Sequence, residues 1–157
     1  DLFRQTMRRW TTGVAVVCSA HNNVRHGMTV NSFGSIAMQP PMFTVTLNQK
    51  TRTWELVRAS GLLTVSILSR EQQAAADRFA GRSGEEEDRF HGFAVHTSPL
   101  GLPWLGGALA ALEARVIHEH PLQESTLFIA QVKQVLHLDD QTEPLVYLNR
   151  GYHHLAE

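Results

Sequence analysis

"HGMTVNSFGSIAMQPPMFTVTLN" (residues 26–48) begins with the spacing of a β-strand but without a strand's usual residues. Successive strand side chains face opposite sides of a sheet. Read alternately, Met28, Val30 and Ile36 share an apolar face. Thr29, Asn31 and Ser35 share a small, hydrogen-bonding face, with Phe33 among them. Pro40 and Pro41 interrupt regular structure, and "MFTVTLN" (42–48) alternates again as the next strand. Two neighbouring strands are predicted, one with a polar face suited to a ligand. A buried Thr29 or Asn31 left unpaired would cost about 1–3 kcal/mol, so such a face needs partners.

Upstream, "GVAVVCSA" (13–20) is β-branched and nearly all apolar, which predicts a buried strand with Cys18 as core packing. "HNNV" turns into the strand at 25–36 through its two Asn residues. Phe3, Met7 and Trp10 recur at helical spacing among Arg4, Arg8 and Arg9, a short amphipathic helix. Downstream, "TRTWELVRAS" (51–60) reads as a helix closed by Gly61, and "LLTVSIL" (62–68) as a strand. Ser69 and Gln72 form a capping-box pattern ahead of the helix "REQQAAADRFA", which Gly81 stops. "GRSGEEED" (81–88) is an acidic loop, "GFAVHTS" a weak strand and "PLGLPWLGGA" a loop. "LAALEARVIHEH" (109–120) and "STLFIAQVKQVLH" (125–137) are long strands across a short turn, and "PLVYLN" (144–149) is the last strand. Strands outnumber helices without the regular alternation of a parallel sheet. The prediction is a mainly β, antiparallel closed sheet with short helices at its ends. At 157 residues, with no repeat or linker, the chain is expected to form one domain over 1–157.

Composition narrows the function. A formal net charge of −1 argues against nucleic acid as a partner. The single cysteine excludes an intrachain disulfide framework and fits a reducing compartment. No apolar run approaches the roughly 20 residues that cross a bilayer, and "DLFRQTMRRW" lacks the apolar core of a signal peptide. A cytoplasmic protein without a membrane partner is expected. The dinucleotide fingerprint G-x-G-x-x-G, the P-loop and the G-x-S-x-G elbow are all missing. His118 and His120 share a strand face, but no third ligand is evident and no metal is expected.

"TLNQKTRTW" (46–54) carries more chemistry. A strand ends at Asn48, a polar loop carries Thr51 and Arg52, and a helix begins near Thr53. Free N–H groups and a partial positive charge at a helix start, with hydroxyls and a guanidinium beside them, suit a phosphate. The alternative is that Thr51 or Thr53 simply caps the helix. Together with the polar face at 29–35, these residues specify a phosphorylated planar cofactor. Flavin mononucleotide (FMN) meets that specification.

The sequence resembles the short-chain flavin reductases, the FMN-binding split-barrel proteins that include the small components of two-component flavin monooxygenases. "FRQTMRRWTTGVAVV" resembles the family's opening helix and first strand. "HGMTVNSFGSIAMQPPMFTVTLNQKTRT" follows its pattern G-M-T-x-N-S-F-x-S…P-P…L-N-x-x-S/T-x-T. "GLLTVSILSREQQAAADRFAG", "GALAALEARV" and "PLVYLNRGYHHL" match the remaining strands and the R-F-A-G helix end.

The resemblance implies a six-stranded antiparallel split β-barrel of Greek-key type, a homodimer, and an oxidoreductase reducing FMN or FAD with NADH or NADPH. A flavin-dependent monooxygenase is the implied partner. Met28, Thr29, Val30, Asn31, Ser32 and Ser35 fall on its flavin-contacting stretch, and Asn48, Gln49, Lys50, Thr51 and Thr53 on its phosphate and ribityl stretch. Phe79 and Gly81 belong to R-F-A-G, and Tyr152 to the terminal G-Y motif. One departure stands out: where the family commonly has G-D-H-T, this chain has "QEST", with Ser125 at the position of a His associated with nicotinamide. That change motivates an alternative, a flavin-binding module that takes electrons elsewhere. An amine oxidase of the split-barrel type ranks last, because the sequence displays no cluster of basic residues for a second phosphate ligand.

Overall fold

In the computed structural model the described residues are 1–82, 84 and 88–156. Of the acidic loop expected at 81–88, residues 83 and 85–87 lie outside them. Helix α1 (Leu2–Met7) is capped by Asp1, and strand β1 (Thr12–Gly13) precedes β2 (Ala15–His21). Strands β3 (Val24–Val30), β4 (Gly34–Met38) and β5 (Pro41–Asn48) lead to α2 (Arg52–Ser60) and β6 (Leu62–Ile67). A 3-10 turn (Arg70–Gln72) runs into α3 (Gln73–Phe79). Strands β7 (Val95–Thr97) and β8 (Pro103–Leu105) precede the long hairpin of β9 (Ala110–Leu122) and β10 (Ser125–Leu138), and β11 (Val146–Leu148) and β12 (Gly151–His153) close the chain.

The main sheet is antiparallel and has seven strands in the order β3-β2-β6-β9-β10-β5-β4. A three-stranded sheet β1-β11-β12 and the pair β7-β8 lie beside it. Seven strands replace the implied six because the expected strand at 25–36 divides. Its first part pairs with β2 and its second with β5, so residues 31–33 carry the chain between opposite edges of the sheet. The expected apolar face ends with that crossing. Val30 is buried, but Ile36 is 51% exposed, at a bulge between the pairs Ser35–Phe43 and Ala37–Met42. Phe33 sits against the core, its ring centroid 5.0 Å from that of Phe43.

Strand β2 explains its unbroken apolar run. Ala15 and Val17 enter one core with Phe43, Val45, Leu63 and Phe128, while Val16 and Cys18 enter a second with Leu68, Ala76, Phe79 and Leu145. A strand covered on both faces has no polar side to show. Burial pushes the Cys18 thiol pKa up to about 12. Asn22 and Asn23 take left-handed φ of 49° and 63°, the turn chemistry of a tight hairpin.

Three expectations need correction. The opening helix ends at Met7, and Phe3, Met7 and Trp10 are exposed rather than packed. The Gly- and Pro-rich loop at 99–108 contains β8, which pairs with β7. The last strand is shorter than 144–149, and its chain returns through β12 to form a hairpin.

Candidate functional site

A cleft of about 830 Å³ opens between β3, the start of α2 and the end of α3. Its floor depends on Gly27. A Cβ there would lie 2.8 Å from Cys18 Sγ and 2.9 Å from two carbons of the fully buried Phe79 ring. Only glycine lets the ring lie against β3. Thr29 Oγ1 donates to Ala76 O at 2.6 Å, which ties β3 to α3. Arg89 Nη1 donates to Gly27 O and Phe79 O at 2.9 and 3.1 Å, which fixes a cation at the cleft wall.

The opposite wall is the loop entering α2. Thr51 Oγ1 donates to Asn48 O at 2.7 Å and accepts from Trp54 N at 3.3 Å. Both capping and loop closure therefore fall to Thr51, leaving the first-turn N–H groups of Arg52 and Thr53 for another acceptor. Asn48 Oδ1 accepts from Lys50 N at 2.9 Å. Gln49 Nε2 donates to Ser125 O at 3.0 Å and to Thr126 Oγ1 at 3.3 Å, and Trp54 Nε1 donates to the same hydroxyl at 2.9 Å. The loop is thus pinned to the "QEST" corner. Among the described residues, Arg25, Lys50, Arg52 and Arg89 line the cleft with Glu55 and Asp88, and Arg25 pairs with Asp88 at 3.3 Å. Lys50 and Arg52, beside the start of α2, suit an anion.

His26, inside the stretch that decides the fold, is the residue that motif reading missed. Its Nδ1 lies 2.8 Å from Oγ1 of the fully buried Thr53. Burial, then the positive charges of Arg89 and Arg52, push its pKa down to about 4, with Asp88 opposing. The sign follows from proton uptake. Between pH 6.5 and about 4 the unfolded chain binds a proton that the folded chain refuses, so stability falls as pH drops through that window. His26 should titrate near pH 4 by NMR, and His26→Asn should flatten the acid limb of the stability curve. A His26 midpoint at 6 or above would contradict this environment.

Of the residues proposed from sequence, Met28, Thr29, Lys50, Thr51 and Phe79 line this cleft. Val30 is core, and Thr53 lies beneath His26. Ser32 holds the crossing: its Oγ donates to Thr46 O at 2.9 Å and accepts from Thr46 N at 3.1 Å. Ser35 is exposed on β4. Gly81, with φ +77°, ends the α3 region, where Arg89 Nη2 would meet a Cβ at 2.8 Å. Tyr152 packs near Tyr147, ring centroids 5.7 Å apart. Asn31 lines a different, smaller cleft. Ser125 starts β10 opposite Leu122 and Asn48. His118 and His120 stand opposite Ile129 and Leu127, farther along the hairpin.

The antiparallel sheet thus carries a helix-capped cleft beside a buried aromatic, an arrangement that suits a ligand with an anionic group and an apolar ring. The chain belongs to the flavin reductase like domain family, whose model matches residues 7–156. It is 35% identical to the reductase component of the FADH(2)-dependent resorcinol hydroxylase of Rhizobium sp. (strain MTP-10005), over 96% of this chain and 84% of that one. It is 31% identical to the NADH-dependent flavin reductase of Rhodococcus sp., over 97% of this chain and 84% of that one. Among solved structures it is similar to the styrene monooxygenase flavin reductase of Pseudomonas putida S12. That match has a TM-score of 0.88 and 32% identity, and covers 100% of this chain and 99% of that one.

Proposed function

We propose that this chain is an NADH- or NADPH-dependent flavin reductase that supplies reduced flavin to a partner monooxygenase in the cytoplasm. The observation that carries this reading is the cleft between Phe79 and the α2 cap, in a chain matched by the family along nearly its whole length. A flavin (FMN or FAD) bound there supplies the hydride-accepting ring. The protein's part is to bind, orient and shield. Lys50, Arg52 and the α2 N-terminus hold the phosphate, and Thr51 and Asn48 shape the loop. Met28, Thr29 and Phe79 border the ring, with Val30, Thr53 and Gly81 setting the walls behind them. Gln49 fixes the loop to Ser125. A volume of about 830 Å³ lies within the range of small-ligand sites.

Two further readings belong here. The whole chain acts as one domain whose main sheet rolls into a split barrel. From Val30 to Gly34 the chain spans at most about 14 Å, whereas a flat seven-stranded sheet would hold its edges about 29 Å apart. The active form is a homodimer. The exposed Ile36 and Met38 on edge strand β4 are apolar surface that a second subunit would cover, placing Ser35 near the contact.

Anaerobic mixing of the protein with NADH or NADPH and either flavin tests the activity. Flavin absorbance near about 450 nm, a property of the oxidised ring, should be lost at a rate that saturates with dinucleotide. No bleaching with either donor and either flavin would refute the reductase reading.

A further inference from the structure

The smaller cleft, about 370 Å³, is lined by Arg4, Arg8, Trp10, Tyr147, Asn149 and Arg150, and Asn31 borders it. No carboxylate among the described residues lines it. Among the described residues none of the three arginines has an ion-pair partner. The sequence displays no such basic cluster, because its members come from opposite ends of the chain. The fold assembles it through one clamp. Asn149 N donates to Arg8 O at 3.0 Å, setting the β11–β12 turn against the end of α1. Asn149 and Arg150 hold left-handed φ of 51° and 66°, which fixes where that turn presents its side chains. β1 pairs with β11 through Thr12 and Tyr147. Thr12 Oγ1 is buried with no hydrogen-bond partner, an orphaned polar atom next to the residue that lines the cleft.

Three like charges gathered without a counter-charge create a potential that attracts an anion. Guanidinium forks match phosphate oxygens two at a time. Trp10, 68% exposed, offers an indole face to a planar ring. The two clefts share strand β3 and its exit: Thr29 lines the first and Asn31 the second, two residues or about 7 Å along an extended chain.

We propose that the smaller cleft binds the phosphates of the pyridine dinucleotide that delivers electrons to the flavin cleft. This rests on the flavin reductase reading. It places the donor's anchor away from the "QEST" corner, so the loss of the usual His at Ser125 leaves dinucleotide binding in place.

The test uses the full chain and the double variant Arg8→Gln/Arg150→Gln. NADH oxidation with FMN should show KM for NADH raised about tenfold or more, with kcat and KM for FMN near wild type. Calorimetric titration of the FMN-saturated chain, whose α2 loop is already filled, should show inorganic pyrophosphate and NAD⁺ binding to wild type and lost from the variant. Unchanged KM for NADH together with unchanged pyrophosphate binding overturns the proposal. So does a loss of flavin affinity alone, which would make the cleft part of the flavin site, or a change of sedimentation alone, which would make it a subunit contact. A wild-type chain that oxidises neither NADH nor NADPH refutes the reductase reading instead, and the pyrophosphate arm then still decides whether the cleft takes phosphate.

Discussion

Gly27→Ala is expected to lower Tm by roughly 2–12 °C and to weaken flavin binding at the same time. The added Cβ would meet Cys18 Sγ at 2.8 Å and the Phe79 ring at 2.9 Å. Both neighbours are fully buried and packed, so one of them must shift to admit the methyl group. Overpacking of this kind costs about 1–3 kcal/mol, and each kcal/mol moves Tm by about 2–4 °C in a chain of this size. The ring's easiest escape is toward the cleft that Phe79 lines. Differential scanning calorimetry and flavin fluorescence titration read the two effects separately. A variant with wild-type Tm and wild-type flavin affinity would show that β3 and α3 are not packed as described. Phe79→Leu in the Gly27→Ala background should restore part of the lost stability, because a smaller side chain makes room for the methyl group.

Arg52→Ala is expected to raise the dissociation constant for FMN by about 10–100-fold, because hydrogen bonds to charged groups contribute about 1.5–3 kcal/mol. Arg52 opens α2, beside the first-turn N–H groups that the Thr51 cap leaves unused. Riboflavin, which has no phosphate, is the control and should bind wild type and variant alike. The wild-type preference for FMN over riboflavin should shrink as salt rises, since exposed charges are screened. Equal weakening of FMN and riboflavin would remove the phosphate from this loop. Lys50→Ala should act in the same direction with a smaller effect, because an ammonium lacks the guanidinium's paired donors.

Much of this architecture was legible in residue order because local rules and the final fold agree. The apolar run 13–20 reads as a buried strand, and β2 is covered on both faces. The Asn pair at 22–23 supplies the left-handed backbone that its turn needs. Thr51 reads as either a cap or a ligand contact, and its hydroxyl is committed to the cap and the loop. The division of 25–36 was not legible. Alternation continues through residues 31–33, and nothing local announces that the chain there leaves β2 for β5. His26 escaped notice because its environment comes from distant residues: Thr53 under it, Arg89 and Arg52 around it. The basic cleft was hidden for the same reason, with Arg4 and Arg8 meeting Arg150 only after β11 pairs with β1.

The burial of Cys18 bears on how the protein ages. Reduced flavin that meets oxygen generates peroxide, so a flavin reductase works in an oxidant partly of its own making. Peroxide attacks thiolate, not thiol. With burial pushing the thiol pKa up and no solvent access, Cys18 stays protonated at neutral pH. Oxidative wear is directed instead to an exposed thioether outside the proposed subunit contact, Met7 at 48% exposure. Sulfoxide there would add polarity to a residue already in water, while the core beneath the cleft keeps its packing.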